Sequence, residues 1–346
     1  MNRSIITNND GIAVVIVSYR SATLTIDCLA SLAAERTAGQ PADLKAVVVD
    51  NDSGDAIPVA AAIAENGWSE WVVLLCAPKN GGFGYGNNLG AKAARDRWGV
   101  QWIHFLNPDT QVREGAIVAL RDFLATHPSA AFAGSRFVNG DGSAWPYAFR
   151  FPGLASEFEG GLSFGPVSRL LHRHVVPRGM GHEPAPIDWV SGASVMVRAT
   201  ALEELHGFDE KFFLYFEETD LCLRARQAGW ETWYVPASLV VHIAGQSTGV
   251  TCRDQAPRRL PSYWFESRRH YFLLNHGRWH AAAIDLAALV ANALGRIKRF
   301  LQGRGGENVP HFMGDLWRHS VLRCWARPES RRWQDGATAA WQQNTH

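Results

Sequence analysis

Continuous runs of β-branched and aliphatic residues, separated by amphipathic stretches, constrain the fold of this 346-residue chain more than any other feature. Such runs are typical of strands that are buried on both faces. They are Ile12–Ser18, Ala46–Val49, Val72–Leu75 and Trp102–Leu106. Helix-like patterns lie between them, so the alternation predicts βαβ units and a mostly parallel sheet covered by helices. The predicted fold class is therefore α/β.

Polar residues follow each of these four strands at the point where the strand ends. The segments are Tyr19–Arg20, Asp50–Ser53, Asn80–Asn88 and Asn107–Asp109. Ligands of α/β sheets bind outside the carboxyl ends of the strands, so we predict that this edge forms the rim of the site. A dinucleotide-binding fold is excluded because no G-x-G-x-x-G follows the first strand. A P-loop is excluded as well, because the chain has no G-x-x-x-x-G-K-[ST].

Three acids, Glu217, Glu218 and Asp220, lie between the aromatic-rich run Phe212–Phe216 and a helix-like segment that ends at Gly229. Burial raises a carboxylate's pKa, whereas a helix N-terminus favours its charged form. Acids in such a place are candidates for a catalytic base. The residues alone equally allow solvated charges that complement the helix dipole.

The segment from Asn139 to Ile187 loses all periodicity and is rich in Gly, Pro and aromatic residues. Long irregular segments inside a domain are commonly functional loops. Its aromatic residues Trp145, Tyr147, Phe149 and Phe151 favour ordering on contact with a ligand, so we expect this segment to face a substrate.

Charge is distributed unevenly, although the formal net charge is only +1. The balance gives no sign of a nucleic-acid partner. Residues 268–346 carry twelve Lys and Arg against five acids, which favours contact with anionic lipid headgroups or a solvated basic subdomain. Ala281–Leu294 is too short to span a bilayer and predicts a buried or interfacial helix.

The cysteines indicate a reducing compartment. Five of them are scattered without a C-x-x-C pair, which argues against a disulfide framework or a zinc site. The N-terminus has no apolar run typical of a secretory signal. We therefore expect a cytoplasmic protein, either free or peripheral at the inner face of the membrane. Its basic C-terminal region would contact the membrane or a second copy of the chain in a homo-oligomer.

Six segments together resemble family 2 inverting glycosyltransferases of GT-A fold, in order and in spacing. They are IAVVIVSYR, AVVVDNDS, NGGFGYGNNLG, FLNPDT, DWVSGASVMVRATALEELHGFDEKFFLYFEETDLCLRARQAGW and VHIAGQST. The resemblance covers about residues 12–248 and is closest to the bacterial rhamnosyltransferase-like branch, which builds O-antigen and other cell-surface polysaccharides. It implies a GT-A domain over 1–250, with a nucleotide-sugar part at 12–138 and an acceptor and catalytic part at 139–250. A basic helical region at 251–346 would follow.

The resemblance also implies a role for individual residues. The residues that match the donor site are Ser18, Tyr19, Arg20, Asp50, Asn80, Gly82, Asn88, Asn107 and Asp109. Trp189 and Gly192 match a turn beside donor and acceptor, and Asp220 is expected to be a hydrogen-bond partner at the start of the helix. Asp109 and His242 would hold a divalent metal, Mg²⁺ or Mn²⁺.

Two positions depart from the family pattern. Asn107 replaces the first Asp of the metal motif, which leaves fewer carboxylates for the metal. Glu218 replaces the Asp that serves as the base, so its carboxylate lies one methylene further from the backbone. Glu218 is the expected base, and Glu217 its orienting neighbour or its substitute.

The implied reaction is direct displacement at the anomeric carbon with inversion. The expected donor is dTDP-rhamnose, and the expected acceptor is a glycan or a lipid-linked saccharide. A UDP-hexose donor is the alternative within the same chemistry. A catalytically silent, nucleotide-sugar-binding scaffold subunit is the alternative from another class.

Overall fold

The computed structural model describes residues 11–38, 43–143, 148–242, 258–303, 309–325 and 330–332. Its strands are β1 (Ile12–Ser18), β2 (Leu44–Asp50), β3 (Val72–Cys76), β4 (Trp102–Leu106), β5 (Thr110–Val112), β6 (Ala130–Val138), β7 (Ala148–Phe149), β8 (Ala185–Ile187), β9 (Trp189–Val190), β10 (Ser194–Arg198) and β11 (Glu231–His242). Its helices are α1 (Ala22–Thr37), α2 (Ala56–Glu65), α3 (Phe83–Trp98), α4 (Ala116–Thr126), α5 (Leu154–Leu162), α6 (Gly165–Leu170), α7 (Ala199–Glu204), α8 (Glu217–Gln227), α9 (Ser262–Leu301), α10 (Phe312–His319) and α11 (Val321–Cys324).

Nine strands of the described part form one mixed sheet in the order β3-β2-β1-β4-β10-β6-β11-β5, with β8 also paired to β11. The first four strands are parallel, as the sequence predicts. Beyond them the sheet is mixed, because β6 and β11 pair parallel while other pairs are antiparallel. β10 runs antiparallel to β4 and β6, and β5 runs antiparallel to β11. The reason is that the segment between β6 and β10 returns the chain to the sheet from the opposite end.

Several elements differ from the form that their sequence suggests. The 139–187 segment is not irregular throughout, because it contains α5 and α6. β11 passes through Pro236 as one strand, with a register shift between Val235 and Leu239, at the point where proline lacks an N–H for the ladder. Thr200 and Glu203 have the spacing of a capping box, but α7 begins after Arg198 and has no side-chain cap.

α3 lies unusually close to the sheet. A Cβ at Gly90 would approach Val15 Cγ1 to 2.3 Å, and a Cβ at Gly86 would approach Val17 Cγ1 to 2.7 Å. These distances are shorter than any real Cβ contact, so both positions admit only glycine. The close packing brings the start of α3, and the loop before it, to the carboxyl ends of β1 and β2.

α9 is the long element that follows the sheet. It is kinked at Gly277, where φ is 76° and ψ is 167°. Its first half shares a hydrophobic cluster with the segment before α8, in which Phe212 packs with Tyr271 and Phe272. Within the described residues, α9 is also the one helix that is long and apolar enough to cross a membrane by length and composition.

Candidate active site

The ends of β1 and β2 are fixed by hydrogen bonds among near neighbours. The Ser18 hydroxyl is fully buried and donates to Asp55 Oδ2 (2.6 Å), which also accepts from the Ser21 N–H (2.8 Å). Asp50 accepts from the Ser53 hydroxyl (2.6 Å) and from the Ala56 N–H (3.2 Å). Ser18 and Asp50 therefore shape this edge, and the exposed side chains that follow β1 are Tyr19 and Arg20.

The glycine-rich loop before α3 is held by Asn51, a residue that the sequence did not single out. Its amide Nδ2 donates to Asn80 Oδ1 (3.0 Å) and to the Gly82 carbonyl (3.1 Å). Gly82 has φ of 89°, and a Cβ there would lie 2.0 Å from the Phe213 carbonyl oxygen. The loop thus reaches the Phe212–Phe216 segment directly, and the Phe83 N–H donates to Phe213 O (2.9 Å).

Asn88 lies away from this loop, in spite of its predicted place in the donor site. Its Nδ2 donates to the Phe208 carbonyl and to Glu210 Oε1, both at 3.0 Å, and its Oδ1 accepts from the Phe208 N–H (2.9 Å). The side chain is therefore occupied in joining α3 to the segment after α7.

Asp109 and His242 come together through strand pairing. β5 pairs antiparallel with β11 so that His242 lies opposite Thr110. His242 Nε2 lies 3.5 Å from Asp109 Oδ1, and both side chains are buried. A carboxylate oxygen and an imidazole nitrogen thus converge at the edge of the sheet. Asn107 is fixed nearby through its N–H, which donates to the Ala193 carbonyl (2.9 Å).

The two glutamates begin α8 after a strained turn. Tyr215 and Phe216 have φ of 71° and 70°, a conformation that costs a non-glycine residue on the order of 1 kcal/mol or more. Glu217 is buried and Glu218 is half-buried. Among the described residues, neither Glu217 Oε2 nor Glu218 Oε2 has a hydrogen-bond partner. Two carboxylates are therefore desolvated at the N-terminus of a helix.

Their environments separate the two carboxylates. Burial and the neighbouring Glu218 charge raise the pKa of Glu217 well above its usual range. Burial also raises the pKa of Glu218, but N–H groups that include those of Gly192 and Thr219 act in the opposite direction by favouring the charged form.

Asp220 lies on the far side of α8 from solvent and is completely buried. It accepts from Arg224 Nε (2.7 Å), Arg331 Nη2 (2.8 Å) and Asn275 Nδ2 (3.0 Å). Burial alone would raise its pKa, yet Arg224 and Arg331 hold that pKa below the usual value. Asp220 therefore joins α8 to α9 and to the C-terminal segment.

Trp189 and Gly192 lie beside the glutamates. Trp189 stacks on Phe149 with ring centroids 4.2 Å apart and donates through Nε1 to the Arg150 carbonyl (2.9 Å). A Cβ at Gly192 would lie 3.9 Å from Glu218 Cβ. Since the next residue, Ala193, binds Asn107, this turn connects the end of β4 to the start of α8.

α9 adds aromatic residues that the sequence did not single out. Tyr263 packs on Phe213 and on Tyr215, with ring centroids 5.3 and 6.3 Å apart, and Trp264 packs on Phe216. Asn51 could have been predicted from the sequence, because it lies in the polar Asp50–Ser53 turn after β2. The residues around Tyr263 give no such indication. Some of the sequence features lie outside the described residues, namely Trp145, Tyr147, one of the five cysteines (Cys252) and the Ile243–Thr248 part of VHIAGQST.

Comparison with known proteins identifies the family. The profile described as "Glycosyltransferase like family 2" matches residues 9–272. The chain belongs to this family. It is 32% identical over 291 residues to the N-acetylglucosaminyl-diphospho-decaprenol L-rhamnosyltransferase of Mycobacterium tuberculosis, and the match covers 79% of this chain and 87% of that protein.

Two further similarities support this assignment. The dTDP-rhamnosyl transferase RfbF of Shigella flexneri is 24% identical, over 77% of this chain and 80% of its own length. The mannosyltransferase PcManGT from Pyrobaculum calidifontis, solved with GDP-Man and Mn²⁺, superimposes with a TM-score of 0.51 at 15% identity, over 92% of this chain and 88% of its own. The glycosyltransferase family and the GT-A fold expected from the sequence are thus confirmed.

Proposed function

We propose that this glycosyltransferase moves L-rhamnose from dTDP-rhamnose, with inversion, to a glycan or lipid-linked acceptor of a cell-surface polysaccharide. The names of the two relatives support the donor sugar, and the diphospho-decaprenol of the mycobacterial relative supports a lipid-linked acceptor. The observation that carries the chemistry is the pair of desolvated glutamates at the start of α8, next to the turn that adjoins the end of β4.

Glu218 is the base in this proposal. Its carboxylate receives N–H groups that favour the charged form, whereas the deeper Glu217 holds its proton to higher pH. Glu218 therefore takes the proton of the acceptor hydroxyl as that oxygen attacks the anomeric carbon. The nucleoside diphosphate leaves from the opposite face. Glu217, whose pKa is raised by burial and by the Glu218 charge, orients its neighbour.

A divalent cation fits between Asp109 and His242. Their carboxylate oxygen and imidazole nitrogen suit Mn²⁺ or Mg²⁺ and would hold such a cation beside the diphosphate of the donor. In the described part of the chain there is no group of three or more His, Cys, Asp or Glu that could hold a metal alone, so we expect metal and nucleotide to bind together. When bound, the cation would neutralise charge on the leaving diphosphate.

The acceptor and the location follow from the same reasoning. The aromatic group of Phe213, Tyr215 and Tyr263 borders the glutamates and offers flat surfaces on which sugar rings stack. The buried thiols Cys28 and Cys222 are free, which suits a cytoplasmic location. We therefore place the enzyme in the cytoplasm, at the inner face of the membrane.

The test is a thermal-shift and donor-hydrolysis screen of the purified chain. We expect dTDP-rhamnose with Mn²⁺ or Mg²⁺ to raise the melting temperature and to be hydrolysed slowly, because a ligand that binds only the folded state stabilises it. If only UDP-glucose, UDP-galactose or UDP-N-acetylglucosamine raised the melting temperature and was hydrolysed, rhamnose would be refuted as the donor sugar. The proposed reaction type would still hold. Binding without hydrolysis or transfer would favour a silent scaffold subunit.

A further inference from the structure

The second half of α9 exposes a continuous apolar stripe. Six large side chains there are between 44% and 79% exposed: Leu286, Val290, Leu294, Ile297, Phe300 and Leu301. At 3.6 residues per turn they fall within an arc of about 120°. The opposite side of this half-helix is buried against the protein, through residues that include Ile284, Ala288 and Ala291. The stripe is therefore an outward face of a docked helix.

The charged residues of this half-helix, from Leu286 to Gly303, are all basic. There are three of them and no acid. Arg296 and Lys298 lie on opposite sides of the stripe, at about −80° and +120° from Leu286 on the helical wheel. The Lys298 ammonium also donates to the Leu162 carbonyl (2.8 Å) and to the Ser163 carbonyl at the end of α5. The nearest acid before the stripe, Asp285, is buried in an ion pair with Arg268. No negative side chain of this half-helix therefore faces the surroundings of the stripe.

Aromatic side chains extend the surface at both ends. Near Gly277, Trp279 is 74% exposed and packs edge-on against Trp325, with ring centroids 4.9 Å apart. At the other end, Lys298 lies over the exposed ring of Phe164, with Nζ 5.8 Å from its centroid. Tryptophan is the residue that favours the boundary between hydrocarbon and headgroups.

We infer that this face of α9, together with Trp279 and Phe164, docks in the plane of an anionic lipid bilayer. An apolar stripe with basic flanks is the arrangement of helices that lie in the headgroup region. A second copy of the chain fits less well, because two such faces would bring like charges together. A spanning helix is also disfavoured, since the kink at Gly277 and the buried Arg268–Asp285 pair tie α9 to the protein.

Membrane docking rests on the proposed function in one respect, because a lipid-linked acceptor would be anchored in the membrane on which the enzyme docks. The first half of the same helix supports the catalytic loop, where the Ser267 hydroxyl donates to the Leu214 carbonyl (3.0 Å). Docking of the second half would therefore hold the site at a constant distance from the membrane.

The experiment is co-sedimentation of the full chain with vesicles of phosphatidylcholine alone or mixed with phosphatidylglycerol. We expect at least about tenfold stronger binding to the anionic vesicles at low salt. The Leu294→Glu/Ile297→Glu double variant should lose at least about tenfold in this binding. Ile57→Glu is the matched control, because Ile57 is 82% exposed on α2, away from the stripe.

Equal binding of the double variant and the control would overturn the inference, as would a wild-type chain without preference for anionic vesicles. A dimer that dissociates in the double variant, seen by light scattering, would assign the face to a second copy and overturn it too. Hydrolysis of dTDP-rhamnose in the absence of acceptor is measured in parallel. Its absence would count against the proposed function, whereas its persistence beside failed vesicle binding would count against docking only.

Discussion

The proposed active site has two sides, the strand ends that carry Ser18 and Asp50 and the turn that precedes α8. The contacts that position them differ in the sequence separation of the contacting residues. On the nucleotide side, Ser18 and Asp50 are positioned by partners between three and thirty-seven residues away. On the catalytic side, the loop before Glu217 depends on α9, more than fifty residues later, and Asp220 binds Arg331, 111 residues away. Turns and strand pairing, which also brings His242 to Asp109, thus form the first half of the site, whereas the C-terminal helices hold the other half in place.

Because of this difference, the basic C-terminal region has a structural role in the site. The His270 ring lies 2.9 Å from Asp209, and Asn275 reaches Asp220. Together with Ser267, these side chains hold the chain on both sides of the strained residues Tyr215 and Phe216. We therefore expect damage on the two sides to have different kinetic signatures.

The largest expected effect is that of Glu218→Gln. Loss of a general base costs about 10²- to 10⁴-fold in kcat, while nucleotide binding by the sheet side should persist. Glu217→Gln is the matched control and should lose far less, with the acid limb of the pH–rate profile almost unmoved, since burial and the Glu218 charge raise the pKa of Glu217 well above its usual range. Near-normal turnover by Glu218→Gln would contradict the assignment of Glu218 as the base. A larger loss in Glu217→Gln would assign that role to Glu217 instead.

On the sheet side, Asp109→Ala should act on binding. In the proposed metal site, removal of the carboxylate beside His242 would leave the cation with one fewer protein ligand, so we expect nucleotide affinity in the presence of Mn²⁺ to fall at least about tenfold. Calorimetric titration with dTDP measures it, with and without the metal. Unchanged affinity together with reduced kcat would place Asp109 in the chemical step instead.

Arg331→Ala tests the long-range support of the catalytic side. Asp220 keeps Arg224 but loses a charged hydrogen bond, so the free energy of unfolding should fall by about 1–3 kcal/mol. Because α8 loses an anchor, kcat should decrease while KM for the donor stays constant. Arg323→Ala removes an exposed arginine from the same region and serves as the control. Equal effects of the two substitutions would contradict the anchoring role.

A smaller expected effect is that buried carboxyl groups on the two sides change the stability of the fold with pH in opposite directions. On the sheet side, burial raises the pKa of Glu35, beneath the start of α4, to about 7. Since its folded pKa lies above the ordinary value of 4.5, its contribution is full below pH 4.5 and is lost as pH rises through 7. Asp220 has the opposite sign, with a contribution present above its ordinary pKa of 3.8 and lost in acid.

Denaturant titrations at several pH values measure this contrast. Between about pH 5 and pH 8, the free energy of unfolding of the wild-type chain should decrease. We expect this decrease to be smaller by on the order of 1–3 kcal/mol in Glu35→Gln. Arg331→Ala should not change that decrease. It should instead reduce the loss of stability in acid, below the ordinary pKa of Asp220. A wild-type stability that does not decrease as the pH rises through neutrality would contradict the role of Glu35.

The same difference in range decides what can be predicted from the sequence. Ile12–Ser18 and Trp102–Leu106 are strands with the predicted bounds, because continuous apolar runs between turn residues are local signals. The start of a helix at the glutamates is predicted for the same reason. β10 reverses direction, however, and Asn88 faces Phe208, because both depend on packing between distant segments. Arg331 and Tyr263 carry no local mark of their partners.

The most direct test of the central claim is the anomeric configuration of the product, measured by NMR after transfer from dTDP-β-L-rhamnose in the presence of Mn²⁺. A single displacement with Glu218 as base predicts an α-linked rhamnose, inverted relative to the donor. A β-linked product would require a covalent intermediate or another retaining route, and would contradict the role of Glu218 as the base of a direct displacement.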